Sequence, residues 1–429
     1  MQNLIVYNGD ILSALSMIPN DSIDCIVTSP PYYAQRRYKA PDVVWGGSSS
    51  CEHEWNEDSK CNKCNAWKGQ LGNEPDYNAY LDHLLLITAE LKRILKPSGT
   101  LFWNIDDSYS GSNQISAKKL TDNQGAGAKH KSPNGIQDIT EDYFAAGTNR
   151  KSILAKQDIS AKSLMQIPAR FAIKMIDEQD WILRNDLIWR KLTGMPESVE
   201  DRLSNKYEHI YFFVKKRDYY FNLDVVRTQK NYPNQRVKEL CEEIYKRAKE
   251  MRNQVKFLSY EGKHYRENQE IMLQKENSET KNKPIFRSSA GTIQEFIVAI
   301  RTITREVINS HPELTKNDIE FLNNFQQNAT GNPNGSNPGD ILTINTESYS
   351  GGHHAVFPRE LPRFCINVGC PEGGVILDPF AGSGTTLEVA RGMGLNAIGI
   401  EISEEYVKLI KKRLAWGFDP NVEWHMVNV

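Results

Sequence analysis

The chain has no long apolar run. Stretches such as Leu84, Leu85, Leu86 and Ile87 fall far short of the roughly 18 residues needed to cross a bilayer. No charge of one sign dominates, because 52 Lys plus Arg face 54 Asp plus Glu, for a formal net charge of −2. That balance excludes a histone-like polycation, although an enzyme with a local basic face remains open. The start of the chain, Met1, Gln2, Asn3, Leu4 and Ile5, has no basic and apolar leader, so a cytoplasmic protein in a reducing compartment is expected. The cysteines are odd in number: Cys25, Cys51, Cys61, Cys64, Cys241, Cys365 and Cys370. An odd set without a leader argues against a disulfide framework. There are also no internal repeats.

What is present suits a globular protein with long polar loops. The 429 residues are 39% hydrophobic and 25% charged, enough for two to three domains and unlike a disordered chain. Both ends alternate strand and helix. A strand is expected at 4–7, a turn at Asn8-Gly9-Asp10, a helix over 11–18 and a buried strand at 24–27. A helix over 77–95 follows, with Tyr77, Leu81, Leu84, Leu85, Leu91 and Leu95 on helical spacing. Lys96-Pro97-Ser98-Gly99 reads as its stop, before a strand at 100–105. Such alternation predicts a parallel sheet.

Residues 110–150 are rich in Gly, Ser, Asn, Lys and Ala without periodicity and read as a mobile loop. A helix over 163–177 precedes two strands, 181–189 and 209–214, joined by a turn containing Met195-Pro196-Glu197-Ser198. Between 229 and 330 the composition shifts to Lys, Glu, Asn and Gln with helical character. Basic residues exceed acidic ones there by about four over 229–283, which suits either a solvated helical face or contact with a polyanion. After a Pro- and Gly-rich loop at 332–339, the alternation resumes with a helix at 358–368, a strand at 375–377, a helix at 385–393 and a strand at 397–400.

Two motifs carry chemistry. The first is Asp378-Pro379-Phe380-Ala381-Gly382-Ser383-Gly384-Thr385-Thr386, between a strand and a helix. Its glycines let the backbone turn tightly and approach a ligand, with helix-terminal N–H groups facing it. Glu401 ends the next strand, where a carboxylate suits two ribose hydroxyls. A phosphate-binding P-loop would need Lys where Thr385 stands, and a dinucleotide fingerprint would want Gly where Leu387 stands. S-adenosylmethionine, a sulfonium without a pyrophosphate, tolerates the leading Asp378. A purely structural strand–turn–helix is the plain alternative.

The second motif is Thr28-Ser29-Pro30-Pro31-Tyr32 at the end of the buried strand. Two prolines hold the chain extended and remove two donors, so the corner offers acceptors: the Ser29 side chain and the Pro30 carbonyl. An exocyclic amino group on a nucleobase is a poor nucleophile because its lone pair is delocalised. Acceptors on both of its hydrogens localise that pair for in-line attack on a methyl sulfonium, by positioning and electrostatics alone. Tyr32 is suited to stack on an extruded base. Alone, Pro-Pro-Tyr more often marks a loop or a peptide ligand; its position after a buried strand makes the difference.

With both motifs in this order, the sequence resembles the beta class of S-adenosylmethionine-dependent DNA amino-methyltransferases. The resemblance covers 1–228 and about 336–412, including His354-Ala355-Val356-Phe357-Pro358. It implies a circularly permuted, Rossmann-like α/β fold: a mixed seven-stranded sheet, an inserted mainly helical recognition domain and a small zinc-binding loop. The implied domains are a catalytic half at 1–228, a target-recognition domain at 229–335 and a cofactor half at 336–429. The implied roles give Ser29, Pro30, Pro31 and Tyr32 the target amino group, and Asp10 the cofactor's adenine. Asp378, Pro379, Phe380, Ala381, Gly382, Ser383, Gly384, Thr385 and Thr386 would line the methionine part. Glu401 would take the ribose, and Phe357 and Pro358 would enclose the cofactor. The implied activity is methylation of cytosine N4 in duplex DNA, within a restriction-modification system with a cognate endonuclease. Adenine N6 is the alternative, since Ser rather than Asp at position 29 is only a statistical preference. Cys370-Pro371 has the form of a cytosine-C5 nucleophile but lies before the cofactor strand instead of after it, and is expected to be a buried turn.

Cys51, His53, Cys61 and Cys64 place four soft ligands within 14 residues, bracketed by Trp55 and Trp67. Four such ligands suit tetrahedral zinc in a structural role. A redox pair and unligated thiols are the competing readings. A catalytically dead DNA-binding module, and a methyltransferase acting on RNA or protein glutamine, are the rivals for the whole chain.

Overall fold

The computed structural model describes residues 2–111, 158–192, 199–228, 231–260, 291–327, 333–346, 358–417 and 419–429. Eleven strands are described: β1 Gln2–Asn8, β2 Ile23–Thr28, β3 Val43–Trp45, β4 Trp67–Gly69, β5 Leu95–Ile105, β6 Ile182–Arg190, β7 Tyr207–Val214, β8 Ile341–Thr343, β9 Val375–Asp378, β10 Asn396–Glu401 and β11 Val422–Asn428. The helices are α1 Ile11–Ser16, α2 Tyr77–Ile94, α3 Ile167–Gln179, α4 Gln235–Tyr260, α5 Gly291–Ser310, α6 Lys316–Gln327, α7 Glu360–Gly369, α8 Thr385–Gly392 and α9 Glu404–Arg413. Contacts divide the chain into two units, Met1–Asn222 with Gly339–Val429, and Leu223–Pro338. No helix among the described residues is long and apolar enough to cross a membrane.

The first unit is built on a nine-stranded sheet in the order β11-β1-β10-β9-β2-β5-β7-β6-β8. All six residues of β2 are buried, as a β-branched strand covered on both faces requires. It pairs in parallel with β9 and with β5. β7 runs antiparallel between β5 and β6, which makes the sheet mixed. The seven expected strands are its centre. The edge strands β8 and β11, and the short antiparallel hairpin β3–β4, were not expected. The break after Asn222, instead of 228, has a local cause: its N–H donates to the Val368 carbonyl at 2.8 Å, holding it to the first unit.

Lys96-Pro97-Ser98-Gly99 is a correction. It is not a turn but part of β5, which begins at Leu95. Leu95 pairs with Ile23, and Lys96 Nζ reaches both carboxylate oxygens of Asp24 at 2.9 and 2.7 Å. Sheet pairing overrides the local Pro-Ser-Gly signal. Helix α3 starts at Ile167, later than the 163 expected, because Gln166 is left-handed at φ 58° and Pro occupies the first turn.

The core joins one face of the sheet to α1, α2 and α3. Trp103 of β5 stacks on Phe171 of α3 at 5.1 Å between ring centroids, and Phe213 of β7 meets Phe171 edge-on at 6.4 Å. Arg93 of α2 donates to the carbonyls of Leu15 and Ile18 at 2.8 and 3.0 Å, closing the end of α1.

The second unit has its own core, with Val237, Leu240 and Ile244 of α4 against Ile300, Ile303 and Val307 of α5 and Leu322 of α6. Two of its helix starts, those of α4 and α6, are capped by side chains. Asn234 Oδ1 accepts from the Val237 N–H at 2.9 Å, and Thr315 and Asp318 form a reciprocal cap with bonds of 3.0 and 3.2 Å.

Phe171→Ala is expected to destabilise the first unit by about 3–5 kcal/mol, because a fully buried ring between two aromatic partners leaves a cavity. Urea unfolding followed by tryptophan fluorescence checks this.

Candidate active site

Parallel pairing sets which ends of the strands meet. Cys25 is level with Ile376 and Ile26 with Leu377, so Ser29-Pro30-Pro31-Tyr32 and the glycine motif both leave the same end of adjacent strands. A buried hydrogen bond joins them, with Thr28 Oγ1 donating to Asp378 Oδ1 at 2.7 Å. The same oxygen accepts from the Phe380 N–H at 3.1 Å. Burial pushes the Asp378 carboxyl up to about 6 against these stabilising bonds.

The glycine motif wraps the top of α8. Gly384 is left-handed at φ 83°, and a Cβ there would lie 3.1 Å from Ile410 Cγ1, so a side chain is both strained and crowded. Glu401 ends β10 and holds the loop, accepting from the N–H groups of Gly382 and Ser403, each at 2.8 Å. Burial raises its carboxyl to about 7. Arg413 Nη1 donates to the hydroxyls of Ser383 and Thr385, both at 2.7 Å. Those hydroxyls are therefore committed to the arginine, a partner the sequence did not reveal. Pro379, Ala381 and Thr386 are buried along this turn, and Phe380 is half-buried, its ring edge-on to Trp103 at 6.1 Å.

β1 lies beside β10, with Asn8 level with Glu401, which brings Asp10 to the same end of the sheet. Asp10 Oδ2 accepts from the Ser13 N–H and hydroxyl, each at 2.9 Å, capping α1. Oδ1 is buried with no donor among the described protein atoms, an acceptor in want of a partner. Pro358 is buried and opens the turn into α7. Phe357, residues 112–150 of the expected mobile loop and Met195-Pro196-Glu197-Ser198 lie outside the described residues.

The proline corner is gripped from outside. Tyr80 Oη donates to the Pro31 carbonyl at 2.8 Å, and the Ala34 N–H donates to the Gly72 carbonyl at 2.7 Å. Gly72 is left-handed at φ 89° and so close that a Cβ would lie 2.9 Å from the Tyr32 carbonyl. Ser29 Oγ lies 3.0 Å from Tyr32 Oη. The Tyr32 hydroxyl also meets Asn104 Oδ1 at 2.9 Å and Glu208 Oε2 at 2.7 Å, and Glu208 pairs with Lys191. Asp106, at the end of β5, is pushed up to about 7 by burial and the nearby Glu208 charge, partly offset by Lys191. Sequence reasoning missed Asn104, Asp106, Lys191 and Glu208. The available signal was a charged residue within β7, otherwise an apolar run of Ile210, Tyr211, Phe212, Phe213 and Val214.

Cys51, His53, Cys61 and Cys64 converge, with their ligand atoms all within 4.8 Å of one another. Cys51 and Cys61 sulfurs are 3.9 Å apart, and Cys64 Sγ is 3.3 Å from His53 Nδ1. Tetrahedral thiolates at ~2.3 Å from zinc stand about 3.8 Å apart, so the donor set fits such an ion. The knuckle is tight: Asn65 is left-handed at φ 61°, and a Cβ on Gly47 would lie 2.7 Å from Cys64 Sγ. The hairpin carrying this cluster clamps His83 between Trp45 and Trp67 at 5.1 and 5.7 Å. His83 Nδ1 meets Glu74 Oε1 at 3.0 Å, and Glu74 Oε2 accepts from the Gly72 N–H at 2.8 Å. A continuous path of contacts thus runs from the hairpin to the proline corner. Cys370 is buried, and its thiol is pushed up to about 12 by that burial. This is the buried turn residue expected.

A family profile described as DNA methylase matches residues 23–412. The type II methyltransferase M.SfiI of Streptomyces fimbriatus is 28% identical over 434 aligned residues, covering 94% of this chain and 89% of its own. M.SmaI of Serratia marcescens is 24% identical, covering 95% of this chain and 89% of its own. Among solved structures, the PvuII DNA methyltransferase, titled cytosine-N4-specific, aligns with a TM-score of 0.47 at 15% identity, over 99% of this chain and 89% of its own.

Glu401 yields a pH prediction. Its folded pKa is raised, so its contribution to stability is fully present below its ordinary value of 4.5 and is lost as pH rises through about 7. Between about pH 4.5 and about pH 8, Glu401→Gln is therefore expected to gain up to about 3 kcal/mol relative to wild type. Urea unfolding of both proteins across this range checks it; a constant difference contradicts it.

Proposed function

The chain belongs to the N6/N4 DNA methylase family, and we propose that it transfers a methyl group from S-adenosylmethionine to the exocyclic N4 of cytosine at a specific sequence in duplex DNA, as the modification enzyme of a restriction system with a cognate endonuclease. The observation that carries this reading is the 2.7 Å bond from Thr28 to Asp378. It ties an acceptor-rich corner to a glycine turn at one end of the sheet, where open α/β sheets bind ligands.

The residues present fit S-adenosylmethionine. The unpartnered Oδ1 of Asp10 is an acceptor for the adenine amino group. Glu401, whose carboxylate already takes two N–H groups, has lone pairs left for ribose hydroxyls. Asp378, Pro379, Phe380, Ala381, Gly382, Ser383, Gly384, Thr385 and Thr386 are assigned the methionine part, and enclosing the cofactor is assigned to Phe357 and Pro358. When bound, the cofactor supplies an electrophilic methyl on a sulfonium. Ser29 and the Pro30 carbonyl hold the two amino hydrogens of an extruded base, Tyr32 stacks on its ring, and Pro31 keeps the corner rigid. Ser29 favours cytosine over adenine. The helical unit Leu223–Pro338 is assigned target recognition.

Zinc at Cys51, His53, Cys61 and Cys64 serves structure in this reading. All four positions of a tetrahedral ion are filled by protein, which leaves none for a reacting water. Through Trp45, Trp67, His83, Glu74 and Gly72, the hairpin steadies the corner that holds the base.

Ser29→Ala is expected to leave cofactor binding within about twofold while slowing methyl transfer by at least about a hundredfold. Near wild-type turnover would remove Ser29 from the mechanism. Sequencing of modified bases in DNA from cells expressing the chain should reveal N4-methylcytosine at one sequence; N6-methyladenine there would correct the base. Protein purified without chelator is expected to carry about one zinc per chain, and less than half an equivalent would refute the metal assignment.

A further inference from the structure

We infer that Glu208, acting through Tyr32, fixes Ser29 as a pure hydrogen-bond acceptor toward the target amino group. The inference rests on the function proposed above and adds a positioning residue to it.

The number of protons in the cluster fixes their directions. Tyr32 Oη has one proton and three oxygen neighbours: Ser29 Oγ at 3.0 Å, Asn104 Oδ1 at 2.9 Å and Glu208 Oε2 at 2.7 Å. The Asn104 amide is oriented by its own donors, since Nδ2 lies 3.0 Å from Glu208 Oε2 and 3.1 Å from the His209 carbonyl. Its oxygen therefore faces Tyr32 and has no proton to give. The Glu208 carboxylate, paired with Lys191 through its other oxygen, has none either. Two of the three neighbours only accept. The phenol proton goes to one of them, with the carboxylate the stronger acceptor. The remaining bond to Tyr32 must come from the Ser29 hydroxyl, because the reverse orientation sets a phenol lone pair against two buried acceptors.

This direction matters for the chemistry. A serine hydroxyl is by nature both donor and acceptor. If its proton turned toward the amino nitrogen, it would compete for the lone pair that has to attack. With that proton committed to Tyr32, Ser29 Oγ has only lone pairs to offer an amino N–H. The Glu208 charge, relayed through two hydrogen bonds, also strengthens that oxygen as an acceptor. A carboxylate at position 29 would have no proton to commit.

The test is a double-mutant cycle on the full chain with duplex DNA. Glu208→Gln can turn an amide N–H toward Tyr32 and unlock the network. It is expected to lower kcat about 10- to 100-fold with KM for S-adenosylmethionine within about twofold. Tyr32→Phe, which is nearly isosteric, is expected to lower kcat by a similar factor. The double variant should be no slower than the slower single one, because both act on the same serine proton. Wild-type kcat in either single variant overturns the inference, as do losses that multiply in the double variant or a loss confined to KM. Should Glu208→Gln fail to fold, Tyr32→Phe alone decides by its kcat. The two readings fail separately. No methylated amino base from the wild-type chain sinks the proposed function, whereas an inactive Ser29→Ala beside a fully active Glu208→Gln sinks only this inference.

Discussion

A single short hydrogen bond between two strand ends organises the site. Thr28 and Asp378 are 350 positions apart in the chain, yet their side chains meet at 2.7 Å in a buried setting. The bond is possible because β2 and β9 pair in parallel and end together. It fixes the starts of the proline corner and the glycine turn relative to each other. Each turn is then braced from its own side, the proline corner by Tyr80 and Gly72 and the glycine turn by Glu401 and Arg413.

The edge of the sheet where β5, β9 and β10 end and antiparallel β7 begins gathers acids. Asp378, Glu401 and Glu208 are buried there and Asp106 is half-buried, and Asp378, Glu401 and Asp106 have raised protonation ranges because desolvation disfavours their charged forms. A fold selected only for stability has little use for such groups. Each of these carboxylates instead orients something: a loop N–H, a hydroxyl, or a second polar side chain. The cost falls on stability, and the return is a set of polar atoms that need not reorganise when charge shifts nearby.

Much of the architecture was legible. The buried runs of β2 and β9 are bounded by Pro- and Gly-rich turns, so both strands and the motifs at their ends could be read from residue type alone. The cysteine cluster was legible because its four ligands lie within a short segment, and in the structure they converge. What could not be read depends on pairing at a distance. Lys96-Pro97-Ser98-Gly99 has every local mark of a turn, but Asp24 and Ile23 draw it into a strand. Edge strands such as β8, three residues long with one buried, lack the apolar density that marks central ones. Tyr32 and Glu208 are 176 positions apart; nothing near either residue announces the other. Arg413 likewise looks like any basic residue at a helix end until its hydrogen bonds to Ser383 and Thr385 are seen.

The position of β1 bears on how the molecule is born. This first strand is flanked on both sides by β10 and β11, which the ribosome delivers hundreds of residues later. While the intervening chain is being made, β1 has two open edges and no native neighbour. Exposed strand edges invite pairing with other chains, and long-range pairing is slow. Native pairing of β1 therefore waits for β10 and β11, and newly made copies are most vulnerable to aggregation in the interval before those strands arrive.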